Sequence, residues 1–172
     1  LAAANGGAVA VADLARPQDL EGAWLKRAVA EVAPALHGAG LAGEALALRR
    51  RLADTATGAD RLAARRGLAQ QSAADGDPVG ALATLFDIAT DRTLAPAELL
   101  DVLVEAHGVA QSGQLVEDWL DRVAEMVASG DVGEDHVTAV VAYAAQAASD
   151  AGLADRGADL WDVLWEQRPD DA

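Results

Sequence analysis

Four turns at a nearly constant spacing constrain the fold of this chain more than any other feature of its sequence. They are centred on Gly40, Gly76, Gly113 and Gly152, and successive turn glycines are 36, 37 and 39 residues apart. The segments between them carry apolar residues at helical spacing and lack extended β-branched runs. Repeats of this length are typical of helical hairpins that stack on one another. We therefore expect a helical repeat protein rather than a sheet protein.

The last unit, residues 138–169, shows the hairpin pattern most clearly. Small residues stand where its two helices are expected to cross: Ala144, Ala145, Ala148, Gly157 and Ala158. Large apolar residues follow: Trp161, Leu164 and Trp165. We expect the small residues to allow a close approach of the helices, and the large ones to fill the space beside the neighbouring hairpin. A tryptophan left exposed here would instead favour a protein interface.

The predicted fold is all-α, with about eight helices in four antiparallel hairpins stacked as a short right-handed α-solenoid. The alternative is a compact helical bundle without true repeats. Alanine accounts for 43 of the 172 residues and favours helices, because it loses no side-chain entropy in them. Residues 1–18 are expected to form a flexible lead-in or the tail of a preceding domain, and residues 19–169 the repeat domain. Asp19 and Asp60 are the expected N-caps of the first and third helices.

The third hairpin matches the others better when its register is shifted by one residue. In that register Trp119, Val123 and Met126 point inward. We therefore expect these three side chains to be buried.

The charge of the chain restricts its partners. The formal net charge is −15, which argues against nucleic acid and anionic membranes as partners. Residues 1–70 hold nine Lys/Arg and seven Asp/Glu, whereas residues 71–172 hold four Arg and 21 Asp/Glu. Cysteine is absent, which excludes disulfides and thiolate metal sites and fits a reducing, cytoplasmic location.

No motif for catalysis, metal binding or cofactor binding is recognisable. His37, His107 and His136 lack the spacing of a zinc site, and the glycines follow no nucleotide-binding pattern. We therefore expect no catalytic residues, no metal and no cofactor.

The spacing and the small residues resemble the tetratricopeptide repeat (TPR) family over residues 26–169. The matching residues are Ala69, Gly76, Ala81 and Leu85 in one unit and Ala145, Gly152, Gly157, Trp161 and Pro169 in another. The resemblance implies a non-enzymatic scaffold that binds a peptide or a partner domain in a groove lined by the first helix of each hairpin. By offset from the turn glycines, it implies that the groove residues are Arg27, His37, Arg66, Gln70, Leu103, His107, Gln146 and Ser149.

The basic cluster and the acidic clusters of the sequence each allow another function. Six arginines, Arg49, Arg50, Arg51, Arg61, Arg65 and Arg66, either balance acidic faces of neighbouring hairpins or dock an anionic peptide, since arginine binds carboxylates in bidentate fashion. The acid groups Glu117/Asp118/Asp121 and Asp159/Asp162/Glu166 allow an enzyme with an acidic site between helices. A third alternative is a structural or regulatory segment of a larger protein with no ligand of its own.

Overall fold

The chain is all-α where a computed structural model describes it, over residues 22–167. This part contains eight helices and no strand, which confirms the predicted fold class. The helices are α1 (Gly22–Gly38), α2 (Ala42–Thr55), α3 (Ala59–Ala74), α4 (Pro78–Ala89), α5 (Pro96–Gly113), α6 (Val116–Ser129), α7 (Glu134–Asp150) and α8 (Ala154–Gln167). The predicted lead-in, the Asp19 cap and the closing Pro169 lie outside the described residues.

The chain divides into two compact units, Leu1–Asp77 and Pro78–Ala172. The division falls between α3 and α4, within the predicted repeat domain. In the N-terminal unit α2 packs against both α1 and α3. Its core is a cluster of apolar side chains from the first two helices: Leu25, Val29, Ala33, Leu36, Ala45 and Leu48.

In the C-terminal unit α4 packs mainly against α5, and α7 packs mainly against α8. Helix α6 contacts α5, α7 and α8. Apolar side chains of α4 are buried: Leu82, Leu85, Phe86 and Ile88. Trp119, Val123 and Met126 of α6 are buried as well, which confirms the inward placement that the shifted register predicted.

The same turn ends α1, α3, α5 and α7. In each, a residue in the left-handed region follows the helix, and the next N–H donates to a carbonyl five residues earlier. The pairs are Leu41 to Leu36 (2.9 Å), Asp77 to Ser72 (2.9 Å), Leu115 to Ala110 (2.8 Å) and Leu153 to Ala148 (2.8 Å). This is the Schellman arrangement, which satisfies carbonyls that the helix end leaves free. The left-handed residues are Gly40, Gly76, Gln114 and Gly152, so each predicted turn exists.

The third turn differs from its prediction by one residue. Gly113 is the last residue of α5, and Gln114 takes the left-handed conformation with φ 59°. Gly113 is required for another reason: a Cβ there would lie 2.7 Å from Cβ of Pro78 at the start of α4. The glycine therefore permits a close approach of two helices, while the turn itself uses a glutamine.

The crossing of α7 and α8 follows the prediction in part. A Cβ on Gly157 would lie 3.0 Å from the carbonyl oxygen of Ala145, so the small residue is needed for this approach. Ala158, predicted at the same crossing, is exposed and takes no part in it. Trp165, predicted to fill the space beside the next hairpin, is 51% exposed. The helical period explains both errors, because these residues lie on the outer side of α8.

The predicted cap of the third helix is also wrong. Gly58 is the N-cap residue of α3, and it has no side chain that could cap the helix. Asp60 lies inside the first turn of the helix. Its carboxylate instead accepts a hydrogen bond from the ammonium group of Lys26 on α1, with which it forms an ion pair. Asp60 therefore links two helices of the N-terminal unit.

Candidate interaction site

Three side chains from α5, α6 and α7 form a compact cluster in the C-terminal unit, which we call the His107 cluster: His107, Trp119 and Tyr143. The imidazole of His107 stacks on the indole of Trp119 with ring centroids 4.8 Å apart. The Tyr143 ring meets both other rings edge-on. Nδ1 of His107 and the hydroxyl oxygen of Tyr143 are 3.0 Å apart, which is hydrogen-bond distance.

The turn positions explain why this cluster forms in the third hairpin. In the first and fourth hairpins, the residues seven before and five after the left-handed glycine are small: Ala33 and Ala45, then Ala145 and Gly157. In the third hairpin, counted from Gln114, the same positions hold His107 and Trp119. Two large rings therefore stand where alanine and glycine allow close packing elsewhere. Consistently, α5 and α6 contact each other less than α7 and α8 do.

Burial controls the ionisation of the cluster. It lowers the pKa of His107 below the 6.5 of a free histidine, and the negative charge of Asp150 opposes this shift in part. Burial also raises the pKa of Tyr143 above its usual value. Burial therefore favours the neutral form of the imidazole. In the tautomer with its proton on Nε2, Nδ1 accepts a hydrogen bond from the tyrosine hydroxyl.

Two nitrogens of the cluster are buried without a hydrogen-bond partner among the described protein atoms. They are Nε2 of His107 and Nε1 of Trp119. An unsatisfied buried polar group costs about 1–3 kcal/mol. Apolar residues of the same size would not carry this cost. The composition of the cluster is therefore not explained by stability alone, which makes it a candidate for function.

The cluster borders a surface of α5 and α7 that we call the α5–α7 face: Val104, His107, Tyr143, Gln146 and Asp150. Val104 lies one turn before His107 and is 48% exposed. The side-chain amide of Gln146 donates a hydrogen bond to the carboxylate of Asp150 at 2.8 Å. His107 and Gln146 were both predicted as groove residues, and Asp150 interacts with each. The structure thus brings two predicted site residues to one surface.

The other predicted groove residues of the C-terminal unit differ in exposure. Ser149 on α7 is exposed. Leu103 is only 1% exposed, so it is a core residue and offers no surface to a partner. It follows Val102, which is also buried, and the exposed apolar residue of this turn is Val104. Leu103 is therefore corrected to a packing role.

The four predicted groove residues of the N-terminal unit lie on α1 and α3. Arg27 is exposed and pairs with Glu31 one turn away, at 2.9 Å. His37 is at the end of α1, with Nδ1 3.3 Å from a carboxylate oxygen of Asp75. Arg66 is half-buried and Gln70 is exposed, and both take part in interactions with other residues. Their role in partner binding stays a prediction.

Sequence reasoning missed Tyr143 and the partnership of Trp119 with His107. The signal was present in both cases. His107 and Tyr143 are 36 residues apart, which is close to the spacing of the turns, although His107 lies seven residues before Gln114 and Tyr143 lies nine residues before Gly152. His107 and Trp119 are the pair that the shifted register places opposite each other. Other contacts have similar separations, such as Arg156 with Asp121 at 35 residues.

The acid groups that suggested an enzyme lie on exposed helix faces. Asp121 forms an ion pair with Arg156, whose Nε is also 3.9 Å from a carboxylate oxygen of Asp159. Glu117 and Asp118 are exposed in the first turn of α6. Across residues 22–167, no group of three or more His, Asp or Glu side chains is arranged to hold a metal ion. No helix in the same residues is both long and apolar enough to span a membrane.

Comparison with protein-family models gives no match for this chain, and comparisons with curated proteins and with solved structures give none either. The resemblance to the TPR family therefore depends on the turn spacing and the small residues of the hairpins.

Proposed function

We propose that this chain is a non-enzymatic, TPR-like scaffold that binds a partner peptide or domain on the first helices of its hairpins. The short right-handed α-solenoid is the arrangement that the turn spacing favours. The observation that carries the proposal is the hydrogen bond between His107 and Tyr143. It joins the first helices of two successive predicted hairpins, as a shared binding surface requires.

The α5–α7 face indicates the chemistry of the partner. Val104 supplies an exposed apolar contact, and Gln146 and Asp150 supply a hydrogen-bonding group and a negative charge. Residues 71–172 hold four Arg and 21 Asp/Glu, so the surrounding field attracts positive charge. We therefore propose a partner segment with both apolar and basic residues, for which electrostatic attraction accelerates association.

The test is selection of peptides from a random display library on the immobilised chain, followed by affinity measurements in solution. The informative variant is Val104→Arg, which replaces an exposed apolar contact by a positive charge. The matched control is Val79→Arg, because Val79 is similarly exposed but lies on α4. We expect Val104→Arg to weaken a selected peptide at least about tenfold, which corresponds to about 1.4 kcal/mol, and Val79→Arg to leave its affinity unchanged.

Gln146→Ala and Arg27→Ala extend the test to both units. A loss of affinity in Gln146→Ala alone would limit the binding surface to the C-terminal unit, whereas a loss in both would extend it to α1. If the Val104→Arg and Val79→Arg variants bind a selected peptide equally well, the α5–α7 face is not the binding surface and the proposed site is wrong.

A further inference from the structure

Arg49 is the member of the arginine cluster of the N-terminal unit that charge balance by neighbouring carboxylates does not explain. Nε of Arg49 is buried and has no hydrogen-bond acceptor, and the same is true of Nε of Arg51. Within residues 22–167 no carboxylate forms an ion pair with Arg49. Arg65 and Arg66, by contrast, do take part in interactions. Internal charge balance therefore does not account for Arg49.

Arg49 lines a cleft of about 230 Å³ between the three helices of this unit. Apolar side chains form much of its wall: Val29, Leu52, Ala63 and Ala64. Lys26 and Asp60 lie at the cleft as a mutual ion pair. Gly67 on α3 completes the lining, and a Cβ there would lie 3.9 Å from Nη1 of Arg49. The guanidinium group is thus placed beside α3 within the cleft.

The charges of the cleft favour a single negative group. Lys26 and Asp60 neutralise each other, so Arg49 leaves the cleft with one net positive charge. The planar guanidinium group presents several N–H donors in a fixed fork that fits a carboxylate. The apolar walls favour a hydrocarbon body behind that carboxylate. At 230 Å³ the cleft is smaller than a typical drug-sized pocket of about 300–1,000 Å³, so the body must be short.

We propose that this cleft binds a free short-chain aliphatic monocarboxylate, with its carboxylate on Arg49 and its hydrocarbon body against Val29, Leu52 and Ala63. Nothing in this proposal depends on the partner surface of α5 and α7. The cleft lies wholly in the N-terminal unit, whereas that surface lies wholly in the C-terminal unit.

The experiment is a titration of the ¹⁵N-labelled full chain, followed by ¹H–¹⁵N NMR. The probe is 3-methylbutanoate. The corresponding amide, 3-methylbutanamide, has the same hydrocarbon chain without the negative charge, and inorganic phosphate has negative charge without a hydrocarbon chain. We expect saturable shifts in residues of α1–α3 with 3-methylbutanoate, at a Kd of about 1 mM for so small a ligand. The amide and phosphate should produce no saturable shift at the same concentrations.

Variants assign the site. Arg49→Gln should weaken binding at least about tenfold, because a charge-assisted hydrogen bond is lost, while Arg50→Gln at the exposed neighbouring position should not. Asp60→Asn should tighten binding, because it removes a negative charge and frees Lys26. The NMR spectrum of each unliganded variant reports whether it folds.

Three outcomes would overturn the proposal. The first is no saturable shift in the wild-type chain with 3-methylbutanoate. The second is equal binding of the amide or of phosphate, which would mean that carboxylate and body are not recognised together. The third is unchanged affinity in Arg49→Gln while Asp60→Asn fails to tighten binding.

Discussion

At the scale of single residues, His107 couples the C-terminal unit to pH. Its pKa in the folded chain lies below 6.5 because burial disfavours the charged imidazolium. The unfolded chain therefore binds more protons than the folded chain as pH falls below about 6.5 toward the folded pKa. The contribution of the neutral imidazole to the free energy of unfolding is fully present above pH 6.5 and is lost as pH falls through the folded pKa.

The measurement is the free energy of unfolding from urea titrations at pH 7, 6 and 5, for the wild type and for His107→Gln. We expect the wild type to lose more stability than the variant between pH 7 and pH 5, because glutamine does not titrate. Comparing the difference between the two proteins cancels the carboxylates, which are common to both. Parallel pH profiles would mean that the imidazole is no more buried in the folded chain than in the unfolded one.

The hydroxyl of Tyr143 is expected to stabilise the C-terminal unit through its hydrogen bond to His107. Tyr143→Phe removes the 3.0 Å hydrogen bond to Nδ1 of His107 but keeps the ring that packs against Trp119. We expect the free energy of unfolding to fall by about 1 kcal/mol. In a double-mutant cycle, Tyr143→Phe should cost less in the His107→Gln background, since the imidazole partner is then absent. Additive costs would show that the two side chains do not interact.

At the scale of helices, the crossing of α7 and α8 tolerates no added side chain. Gly157→Ala places a methyl group 3.0 Å from the backbone of Ala145, so the helices must separate, and we expect a loss of about 1–3 kcal/mol in the free energy of unfolding. Gly108→Ala on α5 is the matched control, because no atom lies within 4 Å of its Cβ position. That control should gain up to about 1 kcal/mol from helix propensity. Equal effects of the two substitutions would exclude close packing as the role of Gly157.

The turn after α5 carries strain that the other three turns avoid. Gln114 adopts φ 59°, whereas glycine occupies the equivalent position after α1, α3 and α7. A residue with a Cβ pays about 1–2 kcal/mol in this region, and glycine does not. Gln114→Gly should therefore raise the free energy of unfolding by up to about 1 kcal/mol, measured by urea titration. A destabilised variant would mean that the glutamine side chain contributes more than the strain costs.

The elements were largely predictable from the sequence, because each has a local signal. Pro78 and Pro96 open α4 and α5, and glycines in the left-handed region end three of the first helices. The third turn is predicted one residue early, because Gly113 is required by its close approach to Pro78 and not by the turn. Local sequence propensity cannot distinguish a glycine that a turn requires from a glycine that close helix packing requires. Only the packing of α4 on α5 does.

At the scale of the whole molecule, the sequence predicted only those residues of the candidate site that follow the repeat spacing. The spacing indicated His107 and Gln146, and both lie on the α5–α7 face. The spacing also indicated Leu103, which is buried. An offset counted from a turn gives the height of a residue along the helix, but an error of one residue in the count moves the side chain to a different face. Arg49 was one of six equivalent arginines in the sequence. The cleft that distinguishes it depends on side chains from three helices.

We expect the compact C-terminal unit to fold independently of the N-terminal unit. The fragment 78–172 contains every helix that packs in the C-terminal unit, so we expect it to be helical by circular dichroism and to unfold in one cooperative urea transition. The control fragment 96–172 lacks α4, the main packing partner of α5, and thereby loses the buried side chains of Leu85 and Phe86. Removing two such side chains costs several kcal/mol, at about 2–5 kcal/mol each, which is comparable to the whole stability of a small domain. The shorter fragment should therefore show no cooperative transition. If the two fragments unfold alike, α4 is not an integral part of this unit, and the boundary between the units lies closer to Pro96.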